Sequence, residues 1–327
     1  MPVNMASRIL LTTIIACTVQ ATTVELMVTN RCTDNIWPAI VTQEGTGPSE
    51  SGFQLAPGIS RNLTVGTDWN GRVWGRTNCT FDDKGSGGCL TGDCGGILNC
   101  TGNGEASTLA EFNLPGGLNQ SYYDISLVDG YNLPLAIEVI LDGNNPFQPL
   151  PNTTNPSCIG GVQGFASMPY DPYANGQEFL NTSSRTPLPF ESKLTTNDVS
   201  KWCPSDLKLK AAESGSSAFN PCVSPCERYK VSIYCCTDNY DSAKKCHPNY
   251  YAIQAKKVCP DAYSYAFDDA SSTFTAPLGT GFEVIFCPGG RSTTIQKTLN
   301  PSAGTSIVPN LAAVFTASSI LVLALLG

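Results

Sequence analysis

Between Gly85 and Cys100 the chain reads Gly-Ser-Gly-Gly-Cys-Leu-Thr-Gly-Asp-Cys-Gly-Gly-Ile-Leu-Asn-Cys. Three cysteines fall within twelve residues, interleaved with glycines, and the apolar material is too sparse to pack the segment. Covalent links must hold it, and that places the chain in an oxidising compartment. The whole sequence has 15 cysteines. Cys17 lies in an N-terminal segment expected to be removed, so fourteen remain, an even number that permits seven disulfides. Connectivity does not follow from spacing. A zinc site at Cys222 and Cys226, or at Cys235 and Cys236, conflicts with that compartment and with the single histidine, His247, so no metal and no cofactor are expected. His247 reads as a surface residue beside Cys246. No Ser/His/Asp arrangement is legible, and Gly85 to Gly88 leads into a cysteine instead of a phosphate-binding helix.

Both ends carry targeting patterns. Residues 1–21 combine Arg8, an apolar run from Ile9 to Cys17 and the small-residue exit Val19-Gln20-Ala21, a signal peptide cleaved before Thr22. The run is shorter than the roughly 20 apolar residues that span a bilayer. From Leu311 to Gly327 the chain is apolar, with no basic stop signal. Small residues at Ser302, Ala303 and Gly304 and a polar spacer from Thr305 to Asn310 precede it. This is the pattern of a GPI signal: attachment at Ser302, a linker over 291–304 and a removed tail over 305–327, with a retained tail anchor as the rival.

Charged residues make up only 14% of the chain, while glycine and proline number 30 and 23. Short strands are legible at Val24 to Asn30, Trp37 to Val41, Ser60 to Val65, Gly71 to Gly75, Leu109 to Leu114, Tyr122 to Val128, Ala136 to Leu141 and Phe282 to Phe286. Many strands and frequent turns predict an all-β sandwich. Between Cys203 and Cys259 cysteines become dense, and Tyr250 to Val258 reads as a short helix started by Pro248 and Asn249. The net charge of −8 repels nucleic acid and leaves a neutral polysaccharide unaffected. Sequons stand at Asn62, Asn78, Asn99, Asn119, Asn152 and Asn181. Asn78 and Asn99 directly precede cysteines, so Asn62, Asn119, Asn152 and Asn181 are the glycosylation candidates.

The Gly-x-Gly-x-Cys-x-Thr-Gly-Asp-Cys-Gly-Gly pattern starting at Gly85 resembles the signature of the thaumatin-like family. Further blocks that resemble it are Trp74-Gly75-Arg76-Thr77-Asn78-Cys79, Thr108 to Phe112, Tyr123 to Pro134 and Cys259 to Tyr265. Together they cover most of the chain from Val24 to Pro288. The resemblance implies a flattened antiparallel β-sandwich with a disulfide-rich, partly helical second lobe, occupying 22–290 as a monomer. It also implies bridges joining Cys32 with Cys287, Cys79 with Cys89, Cys94 with Cys100, Cys158 with Cys259, Cys203 with Cys222, Cys226 with Cys235, and Cys236 with Cys246. An eighth family bridge is missing at both of its positions, one just before Cys158 and the other near Ala276. Residues 159–202 depart from the family as a long inserted loop rich in Pro, Ser, Thr, Asn and Gly.

Many members of the family line an acidic cleft with one arginine, one glutamate and three aspartates. The matching positions here are Arg72, Glu111, Asp124, Asp129 and Asp268, with Asp269 the adjacent alternative. The period of a strand independently puts Glu111 on a face with Leu109 and Asn113, and Asp124 on a face with Tyr122 and Ser126. The bare pattern also fits a solvated sheet face. Asp129, five residues past Asp124, needs the turn at Asp129-Gly130 to redirect it. Asp93, inside the cysteine-rich loop, is expected to serve backbone donors. The resemblance implies a secreted defence or cell-wall protein that binds β-1,3-glucan or a related wall polysaccharide, and the C-terminal pattern adds anchoring at the cell surface. It meets the membrane only through a lipid anchor. The alternatives are a weak endo-β-1,3-glucanase, using two carboxylates across the bond, and a non-catalytic module that presents the inserted loop to a protein partner.

Overall fold

A computed structural model describes residues 23–102, 104, 106–140, 155–158, 207 and 222–288. The expected signal peptide, inserted loop over 159–202, linker and tail, together with Asn152, Asn181, Cys203 and Ser302, lie outside them. Strands are numbered in chain order. One five-stranded sheet runs in the order β11 (Ser157–Cys158), β10 (Leu135–Ile140), β14 (Gly281–Phe286), β1 (Thr23–Asn30), β3 (Ser60–Gly66). The other runs β13 (Phe274–Pro277), β8 (Gln120–Ser126), β7 (Leu109–Asn113), β4 (Asn70–Thr77), β2 (Ile36–Glu44). Two ribbons complete the set: β5 (Thr80–Phe81) with β6 (Gly87–Gly88), and β9 (Gly130–Tyr131) with β12 (Cys222–Val223).

Alternation along the strands builds the core. Val24, Leu26 and Val28 of β1, Ile137 and Val139 of β10, and Phe282, Val284 and Phe286 of β14 share one buried cluster with Val73 of β4, Ala110 and Phe112 of β7, and Tyr123 and Ile125 of β8. Phe282 joins the two layers, its ring 5.2 Å from Phe112 and 4.8 Å from Tyr123. Burying each such aromatic or aliphatic side chain contributes about 1.5–3 kcal/mol. Chain entropy opposes that sum.

The ladders between the named strands are antiparallel except one. β1 and β14 run parallel, with Asn30 beside Phe286. The first and last described strands therefore end at the same edge, where Cys32 and Cys287 are joined. A strand pair so far apart in sequence has no turn to fix its direction.

The second lobe consists of short helices α1 (Pro225–Tyr229), α2 (Ser232–Cys235), α3 (Tyr250–Val258) and α4 (Asp269–Ser272), with a 3-10 turn at Asp238–Tyr240. Ser224 caps α1 ahead of Pro225, and Asn249 caps α3 by accepting from the Ala252 amide. Cys226–Cys235 and Cys236–Cys246 staple the first two helices, and Cys158–Cys259 ties the end of α3 to β11. Cys79–Cys89 and Cys94–Cys100 are local staples in the glycine-rich loop. Cys222 is also disulfide-bonded. At the position of the missing family bridge, Ala276 sits buried on β13 opposite Ser121.

Candidate functional site

The second sheet has a face turned away from the core, and the glycine-rich loop covers one end of it. There Ala39, Trp74 and Leu109 form a small cluster with Cys94 and Cys100, and the Trp74 indole N–H donates to Gly92 O at 2.9 Å. Two residues further along each strand, the loop's cover ends. The β4–β7 and β7–β8 registers set Arg72 opposite Glu111, and Glu111 opposite Asp124. Three charged side chains thus stand in one row across three strands, a direct consequence of the period-2 alternation.

Asp129 joins this row from the turn after β8. Gly130 makes the turn possible: its φ is 133°, and a Cβ there would lie 2.5 Å from Cys222 O and 2.7 Å from the Ala106 Cβ. The chain is thereby redirected, and Asp129 Oδ2 reaches 3.6 Å from Arg72 Nη1. Arg72 Nε lies 3.8 Å from Glu111 Oε1. These are charge contacts at longer than hydrogen-bond range. Arg72 is largely buried, Glu111 about a third exposed, and Asp129 open to solvent.

Burial pushes the Glu111 carboxyl up, and Asp129 adds repulsion, while Arg72 and a hydrogen bond with Ser126 oppose the rise. Asp124 is raised well above the usual carboxylate range, first by burial and then by the charges of Glu111 and Asp269. Its Oδ1 is buried and has no hydrogen-bond partner. The result is a pair of facing carboxyls that favour holding a proton, flanked by one guanidinium.

Asp268 stands apart from the row. Its Oδ2 accepts from Lys256 Nζ at 2.9 Å, from the Ser264 amide at 3.0 Å and from Ser264 Oγ at 2.9 Å, and its Oδ1 accepts from Ser271 Oγ at 2.9 Å. A carboxylate so fully engaged is a structural brace. The neighbouring Asp269 is exposed, takes a 2.9 Å hydrogen bond from the Tyr263 hydroxyl, and is the acid whose field reaches Asp124. The structure thus brings together Arg72, Glu111, Asp124, Asp129 and Asp269.

A sequence model of the thaumatin family matches residues 30–288. The chain belongs to that family. It is 36% identical over 260 residues to pathogenesis-related protein 5 of Arabidopsis thaliana, covering 79% of this chain and 88% of that protein. It is likewise 36% identical over 264 residues to pathogenesis-related thaumatin-like protein 3.5 of Cryptomeria japonica, covering 79% and 88%. A Prunus avium relative named glucan endo-1,3-beta-glucosidase is 35% identical over 263 residues, again covering 79% and 88%. The family includes plant defence proteins of the pathogenesis-related type.

In this thaumatin-family chain the signature loop is also held by a residue outside it. Arg76 is wholly buried. Its guanidinium donates to Trp37 O at 2.9 Å, Ile97 O at 2.8 Å and Leu98 O at 2.7 Å, and its carbon lies 5.4 Å from the Phe81 ring centre. Burial lowers its pKa to about 10, which leaves it charged, with Asp93 opposing the drop. Asp93 accepts from the Cys89 and Gly96 amides, so it serves the loop backbone and stands outside the acid row. Arg76 was visible in the sequence only as part of the Trp74-to-Cys79 block. A charged residue on a strand ordinarily reads as solvent-facing, and nothing local announces a loop folding over it.

Proposed function

We propose that this thaumatin-family protein is a secreted defence or cell-wall protein that binds β-1,3-glucan along the Arg72–Glu111–Asp124 row. The observation that carries this reading is the buried, unpartnered Asp124 Oδ1 in a row shared with Arg72 and Glu111. A sugar hydroxyl is a donor for such an oxygen and an acceptor for the guanidinium. Tyr122, on the same face as Asp124, offers a ring to a pyranose face. The mature domain over 22–290 follows loss of 1–21. The test is co-sedimentation of the purified domain with insoluble β-1,3-glucan. Retention in the pellet, weakened by Asp124→Asn, is expected; a protein that stays in the supernatant refutes the reading.

A weak endo-β-1,3-glucanase is the second reading, supported by the raised Asp124 and Glu111 carboxyls and by the name of the Prunus avium relative. A protonated Asp124 is suited to donate to the glycosidic oxygen while a second carboxylate acts on the anomeric carbon or on water. New reducing ends from laminarin, lost in Asp124→Asn, support it; their absence from folded protein eliminates it. Surface attachment through a GPI anchor at Ser302 is separable from both. Release of the protein from cells by a phosphatidylinositol-specific phospholipase is the expected outcome.

A further inference from the structure

The segment between α3 and β13 is attached to β8 at two points on either side of Asp124. The Tyr263 amide donates to Ile125 O at 2.7 Å, and the Leu127 amide donates to Tyr263 O at 2.9 Å. Beyond the segment, Phe274 pairs with Tyr123. The residues between these attachments bring Tyr263 and Asp269 toward Asp124, and no strand ladder holds them in the middle.

Lys256 holds them instead. From α3, its ammonium donates to Ala262 O at 2.9 Å, Asp268 Oδ2 at 2.9 Å and Ser272 Oγ at 2.5 Å, and the Asp261 charge also favours it. The three acceptors lie at the start, middle and end of the segment. Lys256 and Asp268 have side chains only 12% and 13% exposed, so their charges are shielded from solvent and each is costly without the other. Ser264 and Ser271 complete the Asp268 shell. The Tyr263 hydroxyl then donates to Asp269 Oδ1 and sits 2.5 Å from Thr273 Oγ1, which fixes the exposed acid from its other side.

We propose that Lys256 is a positioning residue: through Asp268 it locks the 263–273 segment so that Asp269 and Tyr263 face Asp124, while Lys256 itself touches no ligand. Its bearing on glucan recognition rests on the reading of the acid row given above. The ionisable groups around Asp124 are Glu111 on β7 and Asp269 and Tyr263 on this segment; Arg72 and Asp129 lie on the far side of Glu111 and act on Glu111.

The test follows the Asp124 side-chain carboxyl by carbon-13 NMR across a pH titration of the purified domain, with no glucan present. In the otherwise native protein, Asp269→Asn lowers the Asp124 midpoint by removing a nearby charge. In a Lys256→Met background the same substitution is expected to produce a much smaller shift, because Asp269 is no longer held against Asp124. An equal shift in both backgrounds overturns the proposal. Where Lys256→Met fails to fold, Ser271→Ala, which removes the hydrogen bond to Asp268 Oδ1 and the longer one to Asp268 O, serves as the second background. Partial loss of the shift supports the proposal there, and an undiminished shift overturns it. Because no glucan is used, a failed co-sedimentation leaves this result standing, and the reverse also holds.

Discussion

Glu111 on β7 and Asp124 on β8 are direct cross-strand neighbours, two like charges facing each other on a sheet surface. Such a pair opposes folding when both are ionised. Arg72 on the next strand reduces the cost for Glu111, whereas Asp124 is pushed up by burial and by the charges of Glu111 and Asp269. The row therefore carries unfavourable electrostatics that the disulfides and core must offset, as is common where a site is built for a ligand.

Stability should accordingly fall as pH rises through the titration of this pair. Both carboxyls have folded-state pKa values raised above their unfolded values, so the folded state binds more protons in that window. Their contribution is fully present below the unfolded values and is lost as pH climbs through the raised ones. Asp124→Asn removes the titrating group and should raise the Tm near neutral pH by roughly 2–4 °C, about 1 kcal/mol. In acid, where native Asp124 is already protonated, the difference should vanish. Thermal melts of both proteins across pH check this, and a pH-independent difference contradicts it.

Arg72 should act as a local brake on that effect. Its charge is the largest influence lowering the Glu111 pKa. Arg72→Met should move the Glu111 midpoint upward in a carbon-13 carboxyl titration and leave the disulfide lobe's spectrum unchanged. A midpoint that stays put would mean that solvent screens the 3.8 Å contact completely.

Alternation was enough to place Glu111 and Asp124 on one face, because both lie within regular strands whose period is fixed by the pleat. It gave no purchase on Asp268 against Asp269. These adjacent acids lie at the start of the short α4, off any strand, and a single residue's difference in backbone direction decides which one is braced by Lys256 and which faces Asp124. The β13 strand, Phe274–Pro277, shows in the sequence only as the position of a missing cysteine, since four residues are too few for a period to show. The parallel pairing of β1 with β14 was likewise invisible, being a contact between opposite ends of the chain. Arg76 is the reverse case, a charge on a strand that lies inside because a distant loop brings carbonyls to it.

Arg76→Met should therefore be severely destabilising, by about 3–5 kcal/mol, because it leaves the Trp37, Ile97 and Leu98 carbonyls without their shared donor. The local staples Cys79–Cys89 and Cys94–Cys100 keep the loop's own shape, so the loss should appear as detachment of the loop from β4. Hydrogen exchange at the Leu90 and Thr77 amides, which bond across that junction, should accelerate.

Gly130→Ala tests the turn that delivers Asp129. The left-handed φ of 133° and the 2.5 Å approach to Cys222 O leave no room for a methyl group, so β9 must separate from β12 or the turn must change. A cost of about 1–3 kcal/mol follows. Either adjustment also shifts Asp129 away from Arg72, and the Glu111 midpoint should fall slightly as the repulsion from Asp129 weakens.

The two classes of disulfide should differ sharply when removed. Cys32–Cys287 closes a separation of 255 residues, which in the chain-entropy model stabilises by roughly 5 kcal/mol, whereas Cys94–Cys100 closes only 6, for roughly 2 kcal/mol. Paired serine substitutions at Cys32 and Cys287 should lower the denaturation midpoint far more than the same change at Cys94 and Cys100. The parallel β1–β14 ladder predicts where the first damage appears: its two strands are joined by no turn, so amide exchange should rise first at Val28 and Val284, near the freed ends. Equal losses from both double substitutions would mean that the unfolded chain already holds its two ends close together, and that the bridge acts mainly on the native state.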